Sequence, residues 1–229
     1  MEDFLEIDKR SSLTICVSET NKQKIRATKC SNAFIYVLNR VQLVEIEECD
    51  DCAIFLCYSG EILMKNSRRS KISAYCGKIS IRGCKNINLS LFSQTKPLIS
   101  DHSSSVTISP FDAIFKGIVP EGKNFWDSPD ITEDSAFQIL PPEEFIPFVV
   151  PFGDEPDGIC SPLPKDYLNA LKTRQIAAEE RKQIVLHFQQ KHPVYSQRIQ
   201  KKISSAFAES LNNSISGKQI QNLGNIMYL

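Results

Sequence analysis

The chain has 229 residues, 41% of them hydrophobic, which is enough for a genuine core in one or two domains. Lys+Arg and Asp+Glu both number 27, so a net charge of zero supplies no general attraction to nucleic acid or to an acidic membrane. No apolar run reaches membrane-spanning length, and the nearest, residues 145–152, is interrupted by Pro147 and Pro151. The acidic start Met1-Glu2-Asp3 is unlike a secretory signal and Glu2 excludes N-myristoylation, so a cytoplasmic protein with no membrane anchor is expected.

Residues 1–115 carry a repeat. Small or Cys residues at Cys30, Cys49, Ser67, Cys84 and Ser103 recur every 17 to 19 positions, and each is followed by mostly apolar residues three, five and seven places on. The middle register reads Ile35, Ile54, Ile72, Leu89 and Ile108. Steps of two put these side chains on one face of a strand, and a near-constant period stacks the strands as coils of a parallel β-helix. A second strand precedes each corner, with inward pairs Ile25 and Ala27, Val44 and Ile46, Ile62 and Met64, Ile79 and Ile81, and Leu98 and Ser100. Leu5 and Ile7 before Arg10, with Leu13, Ile15 and Val17 after it, add a first coil, making about six. Two places after the corners stand Asn32, Asp51, Arg69, Asn86 and Ser105, mostly types that tolerate left-handed geometry, and there each coil should bend.

Eight cysteines raise the question of metal. Cys49-x-x-Cys52 has no second pair at ribbon spacing and no His close in sequence, whereas Cys30, Cys49 and Cys84 share the corner register with Ser67 and Ser103. Packing of small buried thiols is the simpler demand, so no metal, disulfide or other cofactor is expected. No nucleophile, phosphate loop or histidine constellation has motif spacing, which excludes the common enzyme chemistries.

The outward rows hold the candidate partner surface. Phe34, Tyr36 and Phe55 form an aromatic patch on the early coils, which either binds a partner or is covered by later segments of the same chain. Two places before the corners, Glu47 should face Lys65 and Arg82 should face Asp101, each such rung contributing ~0.2 to 1 kcal/mol. Lys78 and Arg82 flank Ser80 on the same outward face, and Ser73 is read as an exposed position.

Residues 116–160, rich in Pro, Asp and Phe, are read as a segment wrapped along the β-helix as extended edge strands, where Pro is tolerated. Within 161–229 the stripe Leu163, Tyr167 and Leu171 opens a helix that Pro193 ends. A second helix is expected near residues 194–211, and residues 212–229 read as a frayed tail.

The corner cysteines, Thr95-Lys96-Pro97-Leu98-Ile99 and Ile108-Ser109-Pro110-Phe111 resemble the tubulin-binding cofactor C domain family, whose members are right-handed β-helices. Asn124-Phe125-Trp126-Asp127-Ser128-Pro129, residues 137–145 with their Leu140-Pro141-Pro142, and residues 163–171 are similar to the centrosomal branch of that family, the TBCC-domain-containing proteins. Members of that branch carry a long helical region ahead of the β-helix, whereas here the repeat starts near residue 5. Other members accelerate GTP hydrolysis with the arginine of a Gln-x-Arg motif four residues before a corner Cys. The matching positions here, ahead of Cys84, are Lys78 and Ser80, so the resemblance implies no catalytic residue.

The resemblance therefore implies a non-catalytic cytoskeletal scaffold at the centrosome, spindle pole or basal body that helps organise the Golgi and cell shape. Its implied partners are centrosomal or basal-body proteins, with self-association as a further expectation. The alternative is a GTPase-activating or tubulin-folding cofactor acting on tubulin or an Arf-like small GTPase through a relocated basic residue.

Overall fold

The strands follow the two-residue period of the sequence, and β-branched residues at the inward positions suit a pleated, buried surface. In the computed structural model the described residues are 4–113, 120–132, 134–148, 150–151, 163–191 and 226–228. In chain order the strands are β1 (Phe4–Asp8), β2 (Thr14–Val17), β3 (Lys24–Thr28), β4 (Phe34–Glu47), β5 (Ala53–Lys65), β6 (Arg68–Arg82), β7 (Lys85–Ser93), β8 (Leu98–Ser100) and β9 (Ser104–Pro110). Short strands β10 (Asp130–Ile131), β11 (Phe137–Ile139) and β12 (Ile226–Tyr228) follow, with the helix α1 (Lys165–Lys191) between β11 and β12. Every strand pairing is parallel. The result is a β-solenoid of about six coils, as the repeat predicts.

Two strand series run along it. One passes β1, β3, the second halves of β4, β5 and β6, then β8 and β10; the other passes β12, β2, the first halves of β4, β5 and β6, then β7, β9 and β11. The expected ladder Ile15, Ile35, Ile54, Ile72, Leu89 and Ile108 is in register rung for rung. None of the six is more than 2% exposed. Each such side chain contributes roughly 1.5 to 3 kcal/mol through removal of apolar surface from water.

The corners explain the preference for Cys and Ser. Ser67 Oγ donates to Lys65 O (2.9 Å) and accepts from the Cys49 amide of the neighbouring coil (3.1 Å). Ser103 repeats the pattern, donating to Ser100 O and accepting from the Cys84 amide. The thiols of Cys49 and Cys84 point at the carbonyls of Glu47 and Arg82. A small side chain with a polar tip fits the bend and satisfies backbone groups that a larger apolar residue would strand.

Asn32, Asp51, Arg69, Asn86 and Ser105 all have positive φ, as their register predicts. A second left-handed residue stands just before the corner at Lys29, Glu48, Asn66 and Gly83. Non-glycine residues there cost about 1–2 kcal/mol each, offset by stacking. The amides of Lys29, Glu48 and Asn66 continue the ladder to Glu47 O, Lys65 O and Arg82 O at 3.0 to 3.1 Å.

The last coil departs from expectation. Leu98 and Ser100 align with Ser80 and Arg82 on the outward row, and Ile99 takes the inward place beside Ile81, with no exposed surface. Asp101 and His102 are both left-handed at this corner, so it absorbs one residue more than the others. The expected Arg82–Asp101 rung is therefore replaced by Arg82 opposite Ser100.

Two pieces of the expected wrapping segment do pair as extended edge strands. β10 pairs with β8 and β11 with β9, extending the stack by part of a further coil. The open parallel edges of β8 and β9 present unpaired amides and carbonyls, and the next segment satisfies them: Asp130 N bonds Pro97 O (2.8 Å), Thr132 N bonds Ile99 O (3.0 Å) and Leu140 N bonds Ile108 O (2.8 Å). Asn124 anchors the crossing, accepting from the amides of Ser93 (2.9 Å) and Trp126 (3.1 Å). Beyond it, Phe145 and Phe148 are buried.

The solenoid, with the residues to Pro164 and the C-terminal strand, is one compact unit, and α1 lies in a second. The helix starts two residues after Leu163 and carries Asp166 in its first turn and Lys191 in its last, complementing its dipole. Ile176, Ile184 and Leu186 on it are exposed. The second helix expected near residues 194–211 lies outside the described residues. Residues 226–228 are not part of a frayed tail: they pair with β2.

Candidate functional site

The second half of β6 alternates inward Ile79 and Ile81 with outward Lys78, Ser80 and Arg82. On one side its neighbours are Glu61, Leu63 and Lys65 of β5, and on the other Leu98 and Ser100 of β8 pair with Ser80 and Arg82. Lys78 is exposed and its Nζ lies 2.9 Å from Glu61 Oε1. Ser80 is only 2% exposed, its backbone between those of Leu63 and Leu98. A side chain this short, sunk between Leu63 and Leu98, presents almost no surface.

Arg82 is exposed beside Lys65, and round the corner Arg68 pairs in register with exposed Lys85. Arg68 faces Asp50 at 3.6 Å. Lys65, Arg82 and Lys85 thus bring three cations to adjacent coils as a short basic ridge, with Glu47 in register on the far side of Lys65. The reading of the sequence singled out Lys78 and Arg82 but missed Lys65 and Lys85 as their companions. The place of Lys65 two positions before the corner Ser67 was the signal available.

An arginine does occupy the register of Ser80, in the second coil. Arg26 stands four residues before Cys30, with Nε 2.7 Å from Glu45 Oε2, Nη1 3.1 Å from Glu6 Oε1, and the Phe4 ring centroid 3.9 Å from its Cζ. Two carboxylates on neighbouring rungs and an aromatic face hold this guanidinium in the sheet.

The aromatic part of the expected partner surface is not a surface. Phe34, Tyr36 and Phe55 are at most 3% exposed, packed in a cluster with Tyr75, Phe92, Phe111 and Phe148. Phe148 lies 6.0 Å from Phe55 and 6.4 Å from Tyr36 between ring centroids, so the chain's own later segment covers the patch. Ser73, read as exposed, is also fully buried.

Beneath this cover lies a buried carboxyl, with Lys71 acting on it electrostatically, that the sequence did not reveal. Asp112 is 3% exposed and its Oδ1 accepts the Phe148 amide at 3.4 Å, while its Oδ2 is buried without a hydrogen-bond partner. Burial pushes the Asp112 carboxyl up to about 7, against the pull of the Phe148 amide and of Lys71. Lys71, whose Nζ sits 5.2 Å from the Phe148 ring centroid, is pushed down by burial.

Among the described residues no group of His, Cys, Asp or Glu is arranged to hold a metal, and seven cysteines are free and buried. Burial pushes the Cys57 and Cys76 thiols up to about 11 and about 12, which leaves them protonated and poor nucleophiles.

The sequence profile named "Tubulin binding cofactor C" matches residues 22–130, from the second coil to the start of β10. Curated relatives are named "TBCC domain-containing protein 1": the mouse protein is 30% identical over 167 residues, covering 66% of this chain and 30% of its own length. The human protein gives the same 30% identity and coverage, and the zebrafish protein is 29% identical over 182 residues, covering 70% of this chain and 31% of its own. The chain thus spans about 30% of the length of the relatives it matches.

Proposed function

Because this chain belongs to the tubulin binding cofactor C domain family, we propose that it acts as a non-catalytic cytoskeletal scaffold. In this reading it helps position or link the centrosome or basal body and organise the Golgi, with effects on cell shape. The observation that carries it is Ser80. Where catalytic members of the family present an arginine, this chain has a buried hydroxyl, and the arginine that shares the register, Arg26, is held by Glu6 and Glu45. An arginine finger stabilises charge on the transferring phosphoryl group and is worth about 10³ to 10⁵ in rate, which a serine cannot supply. The basic ridge of Lys65, Arg82 and Lys85 serves as the contact for an acidic segment of a cytoskeletal partner.

Two measurements test this. Purified protein added to tubulin or to an Arf-like GTPase leaves GTP turnover at its basal rate. Tenfold stimulation that is lost on Arg82→Ala or Lys78→Ala would establish the GTPase-activating alternative instead. A fluorescently tagged copy concentrates at the centrosome or basal body, and this focus weakens when Lys65, Arg82 and Lys85 are all replaced by Glu.

A further inference from the structure

The two ends of the solenoid differ in how their edges are protected. At the first coil β1 carries Glu6 and Asp8, charges of the kind that discourage a further strand from pairing. β2, Thr14-Ile15-Cys16-Val17, has no charge at all and is entirely buried. On that unprotected edge sits β12, in parallel register with Ile226 opposite Thr14, Met227 opposite Ile15 and Tyr228 opposite Cys16. The chain's last strand thus occupies the place a preceding coil would take.

At the far end of the same strand series lies β11. Its register places Ile139 on Ile108, so Ile139 is the next rung of the ladder that starts at Ile15. Yet Ile139 is 38% exposed, Ile131 of β10 at the end of the other series is 50% exposed, and among the described residues β11 pairs only with β9. β11, Phe137-Gln138-Ile139, is as free of charge as β2.

We propose that β12 is a detachable cap that keeps this protein from stacking end to end, and that the edge it covers is a docking site for β11 of a second copy. With β12 in place the β2 edge is filled. With β12 released, one copy's Ile139 rung meets the next copy's Ile15 rung, and both the hydrogen-bond ladder and the interior ladder continue across the junction. Such a head-to-tail contact does not close on itself, so it builds short stacks, and repeat solenoids need terminal caps for this reason.

The test is sedimentation of the whole chain against Met227→Pro, which removes one amide from β12 and disfavours its pairing. The wild type sediments as a monomer at all concentrations. Met227→Pro shows a weight-average mass that at least doubles with concentration, and adding Ile139→Lys at the opposite end returns it to monomer. A chain ending at residue 224 behaves as Met227→Pro does and serves if the proline variant loses its β-sheet circular dichroism. A monomeric Met227→Pro, association indifferent to Ile139→Lys, or unfolding of both cap variants would each overturn the proposal; in the last case β12 would be part of the core and not a cap.

Discussion

Replacing Asp112 by Asn tests how the cover over the aromatic cluster is held. In the unfolded chain this carboxyl titrates near 3.9, and in the folded protein near 7, because burial disfavours its charge more than the Phe148 amide and Lys71 favour it. A raised carboxyl pKa means the native state holds a proton that the unfolded state has released. The group's contribution is therefore fully present below about pH 4, is lost as pH rises toward 7, and levels off above it. A separation of about three pH units corresponds to an upper value of ~4 kcal/mol. Exposed carboxylates whose pKa is lowered, such as Asp8 and Glu179, slope the other way, so the quantity to measure is the difference between wild type and Asp112→Asn. Urea unfolding at successive pH values, followed by Trp126 fluorescence and circular dichroism, gives that difference. Relative to the variant, wild type loses up to ~4 kcal/mol between pH 4 and 7. A flat difference across that range would refute the claim that Asp112 is buried against the covering segment at Phe148. Lys71, pushed down by burial, adds the opposite slope on the alkaline side, where stability rises with pH through its depressed pKa.

The ladder itself predicts that Ile54→Asp or Leu89→Asp unfolds the solenoid, at a cost above ~4 kcal/mol for an unpaired carboxylate among aliphatics, whereas exposed Asn88→Asp is silent in thermal melts. Phe148→Ala should cost ~3 kcal/mol and raise binding of a hydrophobic dye, since it uncovers Phe55 and Tyr36. Unchanged dye binding would show that something else covers the cluster. Ser80→Arg alone should leave GTP turnover of tubulin or an Arf-like GTPase at baseline, because Lys78 still stands where catalytic members of the family have Gln.

The period of two within a strand and of 17 to 19 between corners was enough to place the core. Ile15 through Ile108 are legible as one ladder because a parallel stack repeats each register at the same interior position, and a one-residue slip would turn every side chain outward. The left-handed corners at Asn32, Asp51, Arg69, Asn86 and Ser105 were legible for the same reason. That Ser80 stands four residues before a corner was readable once Cys84 was recognised as one. What periodicity could not report is which outward rows would be covered. Phe34, Tyr36, Phe55 and Ser73 look solvent-facing by register; the sequence allowed that later segments cover the aromatic three, but only the structure identifies Phe111 and Phe148, with Tyr75 and Phe92, as what they pack with. The slip at Ile99 was equally hidden, because two consecutive left-handed residues at Asp101 and His102 shift the count by one without changing composition. The Asp112–Lys71 pair, the Arg26 clamp and the docking of β12 on β2 each join residues that are neighbours only after the coils have stacked. Contacts between distant segments are set by tertiary closure and leave no local pattern for a sequence period to carry.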